Sequence, residues 1–445
     1  MSATLQLAKF IAATPPEEIP DDVLHHGKRC MINMLAVALH ATQNPALGIF
    51  LDLFEDEGGR KQASVLGVGV KTTVQNAAMA NGFLAHLDDF DDTFLPTVFH
   101  PSAPAIPPAL ALAEYEQRSG RDFLTACVLG LEVSCRIALA VQSVGHGGVW
   151  HMTGTVGVFG AAASAGRLLK LDADAIARAL GLAGTQASGL RETFGTMTKA
   201  FHPARAAQSG LLAAMLVRGG FTCTPSILEG RHGFAAALSP DAADLGHATA
   251  SLGKHWEFMN TALKPYACGI LAHAMVDAMR AMRVRTGVGP ERVASVSGRV
   301  NPLAIRLESR PHPNTGLEGR LSFQHAIAMA FIDGTAYPAQ FTDERVSNPV
   351  AASLRSKINV AGDESMPQDA CELTLTLTDG GSYTERVSHA TGTIDNPMTD
   401  AQLNEKFQTL VGGVLSRIRA EELLEVLWQL ERLDNMGKLV SLCRI

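Results

Sequence analysis

The sequence predicts a mostly α protein with an α+β lid: a large all-helical domain formed by both ends of the chain, and a smaller α+β domain inserted between them. Three observations predict it. Apolar residues recur at helical spacing up to about residue 260 and again from Gln402, whereas period-two alternation occurs only between those limits. The chain has 445 residues, more than one hydrophobic core usually serves. Hydrophobic residues reach 47% while aromatics are only 6%, with 41 glycines, a composition of small side chains that lets helices approach closely. The expected boundaries are 1–262 with 397–445 for the helical domain and 263–396 for the lid.

Taken in order, residues 4–13 and 21–41 carry apolar positions at helical spacing, and 62–66 read as a short extended piece. A helix from Thr73 should reach an acidic stretch near residue 88. Pro101, Pro104, Pro107 and Pro108 punctuate the entry to a helix over about 109–117, and 122–141 reads as a further, largely apolar helix. Residues 154–169, GTVGVFGAAASAGRLL, have the spacing GxxGxxG rather than GxGxxG and follow no hydrophobic strand. They predict close helix packing, not dinucleotide binding. A helix over 172–182 follows, then one opened by Pro203 and stopped after 217 by Gly219-Gly220. Beyond 260 the texture changes: 293–300 and 357–360 look extended and 323–331 helical. Residues 371–389, CELTLTLTDGGSYTERVSH, form two alternating strands around Asp379-Gly380-Gly381.

The net charge of −7 comes with no basic block, which argues against a nucleic-acid partner. The seven cysteines (30, 127, 135, 223, 268, 371 and 443) are scattered, odd in number and free of CxxC pairs, so neither a disulfide framework nor a zinc site is expected. The first twenty residues lack the basic and apolar regions of a signal peptide. No apolar run approaches the roughly 18 residues of a membrane span. A cytoplasmic protein with no membrane partner is the expectation.

Residues 86–101, HLDDFDDTFLPTVFHP, hold most of the chemistry. Asp88, Asp89, Asp91 and Asp92 crowd four carboxylates into five positions, Thr93 follows, and His100 stands before Pro101. Adjacent acids repel and raise each other's pKa unless partners compensate. Two readings fit. Asp88, Asp89 and Asp92 have DDxxD spacing, which would hold magnesium and a diphosphate as in prenyl or terpene synthases. Alternatively an aspartate orients a histidine that moves protons on a small substrate. The first reading needs a second acidic motif and an aromatic pocket, and the chain has neither, with three Trp and four Tyr.

Further candidates lie downstream. His151 precedes the glycine-rich helix. In GTMTKAFHPAR, Lys199 sits among small loop neighbours, His202 precedes Pro203 at a helix start, and Arg205 adds a cation on the first turn, where anions are attracted. KPYACGILAH places Lys264, Tyr266, Cys268 and His273 at the expected domain junction, where ligand clefts form. Cys268 reads as a buried structural thiol, and Arg310 in SRPHPNT as a carboxylate clamp or a surface residue.

The set AHLDDFDDT…HPSA, GTVGVFGAAASAGRLLKLD, TMTKAFHPARAAQSG, KPYACGILAH and LSFQHAIAMAFIDG, in this order across most of the chain, resembles the MmgE/PrpD family. Its members include 2-methylcitrate dehydratase, cis-aconitate decarboxylase and iminodisuccinate epimerase. The resemblance implies a helical domain with an α+β lid, a cleft between them, a homodimer, no cofactor, no metal and a small anionic carboxylate substrate. It carries site roles to Asp89, Thr93, His100, His151 and Lys199. Departures are visible: Ala200 replaces a proline, Gly269 stands where the decarboxylase branch has a histidine, and Leu307 where that branch has a tyrosine. The chain is also shorter than typical methylcitrate dehydratases. The resemblance with these departures implies an epimerase acting on a dicarboxylate such as iminodisuccinate, with a dehydratase or decarboxylase as the alternative. Lys199 with His151 or His100 would move the proton, and Asp89 would orient or hold charge. Thr93, Arg205, Lys264, Tyr266 and Arg310 would bind substrate. A lysine serves as a base only when burial or nearby cations depress its pKa.

Overall fold

The computed structural model describes residues 1–141, 148–240 and 242–445. The fold is mostly helical with a small sheet region, and its centre is the Thr198–Arg218 helix. This helix packs on Val74–Leu87, Ser102–Tyr115 and Gly157–Leu168. Small residues make that possible. A Cβ built on Gly82 would lie 3.1 Å from the Ala204 Cα, and one on Gly210 would meet the Val158 carbonyl oxygen at 2.6 Å. The glycine-rich helix is packed in the same way. A Cβ on Gly160 would lie 3.0 Å from the Gly130 carbonyl oxygen, so its glycines serve helix contact.

Two helix starts differ from the sequence reading, and proline is the reason both times. The helix expected near 109 begins at Ser102 and contains Pro107 and Pro108. The Ala103 carbonyl, which Pro107 cannot serve, packs beside Gly82. The helix expected from Pro203 begins at Thr198, so Lys199 lies on its first turn rather than in a loop and His202 lies inside it. Pro203 has no N–H to return to the Lys199 carbonyl. Another difference concerns hydropathy. Among the described residues, the Gly120–Ala140 helix is long and apolar enough to cross a membrane, yet 94% of its apolar window is buried inside the fold. It carries a buried ion pair, Arg136 to Glu132, and Arg136 also donates to the Ala250 and His255 carbonyls.

Residues beyond 260 build a four-stranded sheet in the order Ile358–Gly362, Val293–Val300, Cys371–Leu377, Ser382–Val387. The first pair is parallel and the others antiparallel. Cys371–Leu377 alternates buried and half-buried residues, and its buried face packs on the His273–Thr286 helix. The hairpin turns at Gly380, whose φ of +90° suits a residue without Cβ.

The late helices return to the early ones. Asp400–Val411 packs on Asp21–Ala41, and Lys28 donates to the Trp428 carbonyl at 3.0 Å. Lys406 reaches deepest. It is 1% exposed, and its Nζ donates to Asn33 Oδ1 at 2.6 Å and to the carbonyls of Phe90 at 2.9 Å and Lys264 at 2.7 Å. Burial and the neighbouring Lys264 drive its pKa well below the usual lysine value, while the carboxyls of Asp91 and Asp92 pull the other way. A short antiparallel pairing, Thr93 with Ala262 and Phe94 with Thr261, fixes the acidic segment beside the segment carrying Lys264.

Candidate active site

The Val74–Leu87 helix ends at Asp88, and Asp89 then takes a left-handed backbone with φ of +50°. A non-glycine residue in that region is strained, and the turn sends successive carboxylates to different partners. Asp88 faces His40 at 2.6 Å and Arg320 at 2.9 Å, Asp91 faces His86 at 2.8 Å, and Asp92 bonds the Ser102 hydroxyl. Asp89 lies between two lysines, with Oδ2 2.9 Å from Lys199 Nζ and Oδ1 2.7 Å from Lys264 Nζ. Asp88, Asp89 and Asp92 therefore do not converge, and the DDxxD reading fails on geometry.

These partners set the charges. Burial works against ionisation of Asp89, but Lys199 and Lys264 outweigh it and hold the carboxyl well below its usual range. Burial likewise opposes Asp91, and His86 and His100 bring it down to about 2. For Asp92, burial reinforced by the Asp91 charge outweighs the Ser102 hydrogen bonds and pushes it up to about 7. Burial would lower the Lys264 pKa, yet Asp89 and Asp91 raise it, which makes Lys264 a fixed cation inside the protein. The histidines go the other way. Burial pushes His100 down to about 3 despite Asp91, and with Lys199 nearby it takes His151 well below 6.5. Both rings are neutral at pH 7.

The groups form a connected chain. His86 Nδ1 donates to Asp91, and its Nε2 accepts from Lys199 Nζ at 3.0 Å, which also donates to Asp89. His100 Nδ1 lies 2.8 Å from the Asp92 carbonyl, an oxygen that can only accept, so Nε2 is the lone-pair nitrogen of the neutral ring. His151 is set by a main-chain link, its N–H donating to the Gly189 carbonyl at 3.0 Å, and its Nδ1 lies 2.9 Å from His202 Nδ1. Phe194 packs edge-on against His151 with ring centroids 4.8 Å apart.

Asp89, His100, His151 and Lys199 all line one small cavity. Its far wall comes from beyond residue 260 and includes Gly269, Leu307 and Glu308. The two positions that depart from the decarboxylase branch thus both face this cavity.

Other candidates are placed differently. Lys264 is wholly buried behind Asp89, and Thr93 Oγ1 sits 3.2 Å from His100 Nδ1, so each positions a neighbour instead of lining the cavity. Two candidates are corrected outright. Tyr266 lies away from the cavity, its hydroxyl donating to Asp277 Oδ1 at 2.5 Å and accepting from Arg280. Arg205 is exposed and donates to Gln208, and the earlier helix start takes it off the first turn. Arg310 donates to the Phe194 carbonyl at 3.2 Å and braces that wall from outside. Sequence reasoning missed His86, Arg191 and Glu308. Only His86 left a signal, five positions before the Asp91 it binds.

His86, His100 and His151 lie close enough to hold a metal ion, as do Asp89, Asp91 and His100. For the histidine trio, Lys199 Nζ already occupies the lone-pair side of His86. For the second group, the Asp89 oxygens already accept from both lysines.

Comparison with known proteins places this arrangement. The MmgE/PrpD N-terminal domain matches residues 5–244 and the MmgE/PrpD C-terminal domain residues 266–432. Similar proteins include cis-aconitate decarboxylases from Aspergillus terreus (26% identical, 99% of this chain and 95% of that protein), Mus musculus (27%, 100% and 93%) and Homo sapiens (27%, 100% and 95%). These names favour the decarboxylase alternative over the epimerase reading. With both domains matched along the chain, the protein belongs to the MmgE/PrpD family.

Proposed function

We propose that the protein is a cofactor-independent enzyme that forms a carbanion beside a carboxylate of a small di- or tricarboxylate, and that its reaction is loss of carbon dioxide from a cis-aconitate-like acid. The observation that carries this is Lys199, held at the cavity wall between Asp89 and His86 with neutral His100 and His151 on the same wall. In the step, the bond to the departing carboxylate breaks, carbon dioxide leaves, and the electron pair stays on carbon until a proton arrives. Lys199 and Arg191 supply the positive wall that holds the remaining carboxylates, and the buried Lys264 keeps Asp89 ionised. The 1–262 and 397–445 part and the 263–396 part act as two units that meet across this cavity.

A second reading has its own support. Gly269 and Leu307 remove polar side chains that the resemblance assigns to the decarboxylase branch, which favours proton exchange at a carbon of a substrate such as iminodisuccinate. The test is proton NMR in D2O with cis-aconitate, citrate-type acids and iminodisuccinate. The main reading expects carbon dioxide release with a new alkene product. Deuterium wash-in without other change selects the epimerase, water gain or loss selects a dehydratase, and inertness toward all of them refutes the proposal.

A further inference from the structure

Glu308 is a buried carboxyl that the proposed chemistry has not yet used. It lines the same cavity and is 4% exposed. Its Oε1 accepts from the Leu271 N–H at 3.2 Å, while Oε2 is buried and has no hydrogen-bond partner. Lys264, a buried cation that acts on this carboxyl, gives its hydrogen bonds to Asp89 instead. A buried polar oxygen without a partner is costly, and the cost is removed when a ligand or a proton engages it. The backbone is shaped around this group. A Cβ on Gly269 would lie 2.2 Å from the Glu308 carboxyl carbon and Oε1, so even alanine at 269 would displace it.

We propose that Glu308 is a catalytic residue whose free Oε2 carries the proton delivered to the substrate carbon. This rests on the carbanion chemistry proposed above. As carbon dioxide departs, its electron pair is left on carbon. The Oε2–H bond then breaks, the proton bonds to that carbon, and the Glu308 carboxylate regains a proton from water. The environment suits a donor. Burial pushes the carboxyl up to about 7, where an acid is still protonated yet can transfer readily. The titratable neighbours do not share that range. Asp89 lies well below its usual value, Cys268 well above, His100 falls to about 3 and His151 well below 6.5, and Lys264 is raised. Asp92, also at about 7, is not on the cavity wall.

The experiment compares wild type, Glu308→Gln and Glu308→Asp on whichever acid the wild type consumes, measuring kcat/KM from pH 5.5 to 9. In the wild type the rate should fall above about 7 as the donor loses its proton. Glu308→Gln keeps shape and a hydrogen-bond donor but no transferable proton, and should lose about 10²–10⁴-fold with that basic limb gone. Glu308→Asp should retain the limb and an intermediate rate, which separates loss of an acid from loss of packing. Near-full turnover in Glu308→Gln, a basic limb unchanged in that variant, or equal losses in both variants would overturn the assignment. A wild type inert toward every acid would instead refute the proposed function, and this inference with it.

Discussion

Asp89→Asn isolates the charge balance on which the site depends. The substitution replaces the carboxylate that faces Lys264 Nζ at 2.7 Å and Lys199 Nζ at 2.9 Å by a neutral amide with one accepting oxygen, so Lys264 keeps hydrogen-bond acceptors but loses its counter-charge. Breaking one partner of a buried pair costs about 3–5 kcal/mol. A ceiling follows from proton release: Lys264 can shed its charge, and holding a lysine of ordinary pKa near 10.4 neutral at pH 7 costs about 4.6 kcal/mol. The two figures agree on a loss of about 3–5 kcal/mol. The sign with pH is also set. The Asp89 pKa is lowered in the folded state, so its contribution is present above the unfolded value near 4 and is lost as pH falls toward the folded value. Equilibrium unfolding in urea should therefore show a constant gap between wild type and variant from pH 7 to 5 that closes below about 4. A gap at pH 7 under about 1 kcal/mol, the size of an exposed ion pair, would refute the buried-pair reasoning.

Four further outcomes are expected. Lys199→Ala should lower turnover about 10²-fold or more while its thermal unfolding curve keeps a single folded transition, and near-full activity would remove it from the positive wall that holds the substrate. His151→Ala should lose a comparable amount, whereas a loss under about tenfold would leave Lys199 acting without it. Turnover should survive exhaustive EDTA treatment, since Lys199 and Lys264 already fill the donor faces of Asp89, and activity restored by magnesium or manganese would contradict this. Lys406→Met should cost about 3 kcal/mol or more, because it leaves three buried oxygens unpaired at about 1–3 kcal/mol each, and a variant as stable as wild type would show those oxygens find other partners.

What the sequence made legible follows from how local each signal is. The hairpin strands need only alternation and Asp379-Gly380-Gly381, and they form at Cys371–Leu377 and Ser382–Val387. The acidic segment was visible as a cluster, but its division of labour was not, since it depends on the left-handed turn at Asp89 and on partners as distant as Arg320. Arg205 was misplaced by one assumption, that Pro203 opens its helix. Starting the helix at Thr198 takes Arg205 off the first turn, where an anion would be held. Tyr266 has a neighbour in sequence that enters the site, Lys264, yet its own hydroxyl is claimed by Asp277 and Arg280 of the following helix. Glu308 left no trace, because its environment arises from Gly269 and Leu271, almost forty positions away.

Lys406 has a consequence for how the protein comes into being. Its amine ties the main chain at Phe90, next to Asp89, to the main chain at Lys264, and both to Asn33. Synthesis runs from the N-terminus, and early segments collapse as they emerge. The first 260 residues can thus gather their helices while the carbonyls of Phe90 and Lys264 still lack the donor that joins them. Only when the Asp400–Val411 helix leaves the ribosome is that donor delivered. Each nascent chain therefore carries these two segments unjoined by that amine until residue 406 has been made.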